Sequence, residues 1–151
     1  EQMIQDNLAY VTDVVTELRA TGAPDTPLVY AGFSQGVAMA YRAALSTKHT
    51  CQGLLALAGD IPPELHSTPA PRWPPMLLGH GLADQWYTQD KWRKDWNVLK
   101  SQGIRFDTVQ FDGGHEWHPE FLGAAGRFLD RIREKQVGTS ATKSQVDGGY
   151  A

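Results

Sequence analysis

Residues 28–41, LVYAGFSQGVAMAY, change backbone habit within two residues. Leu28 to Phe33 is a nearly continuous apolar run of the kind buried in a parallel sheet. From Ser34 to Leu45 the side chains turn small and alanine-rich, the pattern of a helix packed closely on that sheet. A strand that becomes a helix with no loop between them needs a sharp corner, and here the corner is Gly32-Phe33-Ser34-Gln35-Gly36. In a Gly-x-Ser-x-Gly corner the serine takes the strained turn, and its neighbours must lack bulk for the hydroxyl to project. With six serines in the chain, such a pentapeptide arises by chance about 6% of the time, so the strand before it and the helix after it carry the weight.

The rest of the chain continues this alternation. Ile4, Leu8, Val11, Val15 and Leu18 repeat at helical spacing and stop at Thr21-Gly22-Ala23-Pro24. Further apolar runs at Gly53 to Ala58, Met76 to Gly79 and Arg105 to Phe111 read as strands, the last of them alternating. Thr88 to Lys100 opens on a capping threonine, carries Trp92, Trp96 and Leu99 on one face, and ends at Gly103. Pro119 suits a first helical position, and Phe121, Ala125, Phe128, Leu129 and Ile132 repeat to about Gln136. Alternating helices and strands imply parallel strands joined by right-handed crossovers, with helices on both faces: a three-layer α/β/α sandwich with a mostly parallel sheet. Residues 60–75, DIPPELHSTPAPRWPP, hold six of the nine prolines and predict an ordered, irregular connection. The segment 137–151, VGTSATKSQVDGGYA, has no periodicity and predicts a disordered tail, which leaves one domain over 1–136.

At 151 residues the chain suits one domain. Its 14 basic and 17 acidic residues are interspersed, with a formal charge of -3, which argues against nucleic acid or an anionic membrane as partner. A single cysteine, Cys51, forms no internal disulfide and reads as a packed, inert thiol. There is no secretory signal and no apolar run long enough to cross a bilayer, so the expected setting is cytoplasmic, without integral membrane association. The opening EQMIQDNLAY enters a helical pattern with no initiator methionine, which suggests that residues upstream belong to the native protein.

A serine hydroxyl becomes a nucleophile when a base takes its proton, and the base needs an acid to fix its tautomer and stabilise its cation. The chain supplies both in the order serine, acid, histidine. LLGHGLADQWY puts Asp84 after the third strand, and FDGGHEWHPE puts His115 after the fourth, each at the carboxyl strand ends where open α/β sheets bind ligands. Gly113-Gly114 forms a turn that can aim His115 inward. His118 reads as a cap or rim residue, His80 as a buried structural residue, and His49 and His66 as surface. Asp60, closing LALAGD, is the rival for the acid, and Asp112 reads as a loop-holding residue. HEWH is one residue short of the HExxH metal pair and Pro119 would break its helix, so no metal is expected.

With AGFSQGVAMAY as the corner, GHGLADQWY as the acid loop and FDGGHEWH as the base loop, the chain resembles the phospholipase/carboxylesterase family of α/β-hydrolases over about residues 1–134. Members of that family include acyl-protein thioesterases and lysophospholipases. LALAGDIPPEL is similar to the segment after the next strand in bacterial members. The resemblance implies an α/β-hydrolase fold with Ser34 as nucleophile, Asp84 as acid, His115 as general base and the Gln35 backbone N–H as oxyanion donor. Family members also carry, before the corner, further strands and a glycine-containing loop with a second donor. No such loop precedes the corner here, so the chain looks like the carboxyl-terminal two thirds of an N-terminally truncated enzyme. Losing one donor lowers turnover by about 10²–10³, and an uncovered sheet edge favours association into a homodimer.

The implied reaction is hydrolysis of a small-molecule acyl ester or thioester through an acyl-enzyme on Ser34, with no cofactor. Ile61, Leu65, Trp73, Trp86, Tyr87 and Trp117 are candidates for an apolar cleft around it. A serine peptidase of the same fold would use the same three residues but brings an extra domain or longer cap. A non-catalytic hydrolase-like module would arise here by truncation, since all three residues are present.

Overall fold

The apolar runs form the four strands of one sheet: β1 (Val29–Phe33), β2 (Gly53–Leu57), β3 (Met76–Gly81) and β4 (Phe106–Phe111). They lie side by side in chain order and every pairing is parallel. The computed structural model describes residues 2–22, 26–46 and 48–146. Helices α1 (Gln2–Thr21), α2 (Gln35–Ser46), α3 (Gln89–Ser101) and α4 (Pro119–Val146) fill the intervals. The proline-rich connection holds two short 3-10 turns, Pro63–Leu65 and Ala70–Arg72, in place of a crossover helix.

Successive strand residues face opposite ways, and this sorts the helices into layers. Gly32 closes on Val37 of α2, and His80 stacks on Trp92 of α3, which puts α2 and α3 on one face. Gly79 faces Phe121 of α4 on the other. β2 and β3 are buried throughout, as near-continuous apolar strands between two helical layers should be. The alternating run is β4, an edge strand with an open side. β1 forms the other edge, paired only with β2 among the described residues.

Helix ends follow local chemistry. Gly22 N–H bonds the Leu18 carbonyl at 3.0 Å and closes α1, while Ala23-Pro24 lies outside the described residues. Gly103, at φ 68°, ends α3, and Ile104 N–H returns to the Leu99 carbonyl. Thr88 stands at the N-cap of α3 as predicted, but its side chain makes no capping bond.

Two expectations need correction. α1 buries only Val15 fully, and Leu18 is exposed; the helix packs mainly on α2. In α3 the buried stripe is Trp92, Asp95 and Leu99. Trp96 is 40% exposed, lying edge-on against Phe106 with the Lys100 ammonium above it. Helix α4 is described from Pro119 to Val146. Residues 147–151 lie outside the described residues.

The rotation of α3 has a measurable consequence. Trp92→Ala should destabilise the fold by about 3–5 kcal/mol, and Trp96→Ala by less than half as much, in paired denaturant titrations. Equal losses would mean that Trp96 is the core residue after all.

Candidate active site

β1 ends at Phe33 and α2 begins at Gln35, which leaves Ser34 alone in the corner at φ 56°. A non-glycine residue held there costs of order 1–3 kcal/mol, so its surroundings must over-determine it. They do: Ser34 N–H donates to the Leu57 carbonyl and the Ser34 carbonyl accepts from Val37 N–H, each at 3.0 Å. The two glycines of the corner are not equivalent. A Cβ on Gly32 would lie 2.6 Å from the Gly36 carbonyl oxygen and the Val37 Cα, whereas one on Gly36 would meet nothing within 4 Å. A third glycine, Gly59, lies outside the motif and presses on the Ser34 carbonyl and Val37. Sequence reasoning passed over it, although Ala-Gly-Asp directly after a strand is a turn signal.

The acid and base loops are tied together by main chain. Leu82 N–H donates to the Phe111 carbonyl and Ala83 N–H to the Gly113 carbonyl, both at 2.9 Å. Any side chain on Gly81 would run into the Gly113 and Gly114 carbonyls, so the exits of β3 and β4 touch. Glu116 accepts from Gly114 N–H at 3.0 Å and braces the histidine loop from within.

This coupling brings together residues far apart in the chain. His115 Nε2 lies 2.8 Å from Ser34 Oγ, and His115 Nδ1 lies 2.8 Å from Asp84 Oδ2. With the proton on Nδ1, the imidazole donates to the Asp84 carboxylate and accepts from the serine hydroxyl. Asp84 Oδ1 accepts from the Trp86 and Tyr87 backbone N–H groups at 2.8 and 2.9 Å. Burial alone would raise the Asp84 pKa, but bonds from His115, Tyr87 and Trp86 outweigh it and hold the carboxyl below its ordinary range.

The rival residues lie elsewhere. Asp60 is exposed and pairs with Lys91 at 3.0 Å, and Asp112 is exposed outside the relay. His118 Nδ1 accepts from Glu120 N–H at the start of α4, and its ring stacks on Phe111, so it is a cap. His80 is buried against Trp92, with Gln110 3.3 Å from Nδ1. His49 and His66, read from the sequence as surface residues, are half-buried. Cys51 is half-buried, donates to the Gly53 carbonyl, and has its thiol pKa pushed up by burial.

The predicted cleft residues divide. Ile61, Trp73 and Tyr87 are buried in the main core and Leu65 packs against it. Trp86 is 75% exposed and Trp117 48% exposed. Trp117 stands 5.5 Å from Phe33, whose ring lies 4.9 Å from that of His115. Phe33 was not singled out from the sequence, yet its place directly before Ser34 is signal enough. Gln35 opens α2, so its backbone N–H has no acceptor within the helix. A cavity of about 560 Å³ lined by Met76, Phe106, Phe128 and Ile132 contains none of the relay residues.

The Phospholipase/Carboxylesterase family model matches residues 1–133. The chain belongs to that family. It is 29% identical over 129 residues to acyl-protein thioesterase 1 homolog 1 of Dictyostelium discoideum, covering 82% of this chain and 57% of that protein. It is 28% identical to acyl-protein thioesterase 1 of Neurospora crassa, covering 97% of this chain and 62% of that one. It therefore spans about three fifths of the length of these relatives. Among solved structures, Arabidopsis thaliana SOBER1 superposes with a TM-score of 0.70 at 20% identity, over 87% of this chain and 65% of its own. Esterase PE8 superposes with a TM-score of 0.66 at 25% identity, over 85% and 61%. The α/β-hydrolase fold is thus shared with these neighbours, and no helix among the described residues is long and apolar enough to cross a membrane.

Two outcomes follow for the site. Because Ser34 sits at positive φ, Ser34→Gly should be more stable than Ser34→Ala by about 1 kcal/mol; parity in chemical denaturation would remove the strain argument. The depressed Asp84 pKa stabilises the fold fully above the ordinary carboxylate value, and that contribution is lost as pH falls through the folded value. The stability gap between the native chain and Asp84→Asn should therefore narrow below about pH 4, and a gap independent of pH would contradict it.

Proposed function

We propose that this protein is a serine hydrolase that cleaves carboxylic esters or thioesters through an acyl-enzyme on Ser34. The observation that carries this reading is the relay of two 2.8 Å contacts from Ser34 Oγ through His115 to Asp84. Ser34 Oγ attacks the substrate carbonyl while His115 Nε2 takes its proton, and Asp84 stabilises the resulting imidazolium. The Gln35 N–H donates to the oxyanion. His115 then protonates the departing alcohol or thiol, and the tetrahedral centre collapses to the acyl-enzyme. Water attacks that ester as His115 again takes a proton, and returning it to Ser34 Oγ releases the acid.

Phe33 and Trp117 offer an apolar wall beside His115, which suits an acyl chain or aromatic ester better than a charged group. The relatives named as acyl-protein thioesterases favour a thioester among the substrates. Gln35 supplies one oxyanion donor, and such holes commonly take a second from another loop; each donor is worth about 10²–10³ in turnover.

Intact mass after fluorophosphonate treatment is the direct test. The native chain should gain one adduct and Ser34→Ala none, and the native chain alone should hydrolyse a short chromogenic ester and thioester. An adduct retained in Ser34→Ala would refute the assignment of the nucleophile, and turnover of a peptide amide at the ester rate would move the protein to the peptidases.

A further inference from the structure

Among the described residues, Asp84 and Asp95 are the buried carboxylates, and the proposed reaction uses only the first. Asp95 lies on α3 and is 2% exposed. Its Oδ2 accepts from the Tyr87 phenol at 2.8 Å and from the Ile61 backbone N–H at 3.0 Å, two neutral donors. Burying an acid without a cation is expensive, and here burial raises its pKa to about 6. At neutral pH it remains ionised, a stronger acceptor than any neutral side chain.

What this carboxylate holds is informative. Tyr87 has two ends: its phenol is fixed on Asp95, and its backbone N–H bonds Asp84 Oδ1 at 2.9 Å. Ile61 closes the turn whose Gly59 presses on the Ser34 carbonyl. One buried carboxylate thus reaches both loops that flank the relay.

We propose that Asp95 is a positioning residue: through Tyr87 it sets the backbone N–H groups that hold Asp84, and so the tilt of the carboxylate that orients His115. This inference rests on the serine hydrolase reading for its kinetic consequence but not for its structural one. With the phenol unanchored, residues 85–87 relax, Asp84 Oδ1 loses aligned donors, and the imidazole no longer faces Ser34 Oγ squarely. Misplacement of this kind lowers the chemical step without changing ground-state binding.

The test compares the native chain, Tyr87→Phe and Asp95→Asn by two readouts. In fluorophosphonate labelling the inactivation rate constant should fall about tenfold to a hundredfold in both variants, with the half-saturating concentration unchanged. In proton NMR the low-field resonance of the His115 Nδ1 proton should shift or broaden in both. Tyr87→Phe keeps the ring and the fold, so it decides alone if Asp95→Asn does not fold. Native labelling kinetics and a native resonance in folded Tyr87→Phe would overturn the proposal. If the native chain takes no label, the hydrolase reading has failed and the resonance decides: perturbed in Tyr87→Phe it supports the positioning role, while an unchanged resonance, or none in the native chain, overturns it.

Discussion

The parallel register of the sheet is the constraint on which the rest depends. Because all four strands run the same way, Phe33, Gly81 and Phe111 finish at one edge, and the loops that follow carry Ser34, Asp84 and His115. An antiparallel partner in place of any of these strands would send its loop to the far side. The register brings the residues near one another, and main-chain contact does the rest. Gly81 against the Gly113-Gly114 backbone and the hydrogen bond from Ala83 to Gly113 set the separation of the acid and base loops with atoms that no side-chain rotation can move. The relay contacts of 2.8 Å are therefore a result of backbone geometry, with side chains only completing it.

The serine corner shows how strain is shared. A positive φ at Ser34 is unfavourable by itself, and the compensation comes from elements distant in sequence. Leu57 ends β2 and accepts the Ser34 N–H, and Gly59 in the next turn leaves no space for the corner to open. The turn after β2 is thus as much a part of the support of Ser34 as the glycines of the pentapeptide. Asp95 extends the same pattern, because it joins that turn to the acid loop from behind.

Much of this was legible in the residues. Strand and helix order, the corner at Ser34 and the sequence Ser34, Asp84, His115 follow from hydrophobic period and from glycine at turns, both local properties. The choice between Asp84 and Asp60 was not local: each follows a strand, and only the touching exits of β3 and β4 bring one of them to His115 while leaving the other with Lys91. Trp96 was placed on the buried face of α3, and Asp95 was not singled out. Helical spacing allows either to flank the Trp92–Leu99 stripe, and apolarity favours the tryptophan. The helix instead turns Asp95 inward, where Tyr87 and Ile61 supply donors.

The same reasoning explains the cleft. Apolar residues near a candidate site suggest substrate contact, yet Ile61, Trp73 and Tyr87 pack inward, while Phe33 lies against His115 and Trp117 against Phe33. By itself, the sequence determined the period of each element and the sites of its turns, because these depend on neighbours within a few residues. The tertiary structure alone decided which carboxylate meets the histidine, which apolar residues near the corner pack into the core and which acid of α3 is buried, because those depend on contacts between segments tens of residues apart.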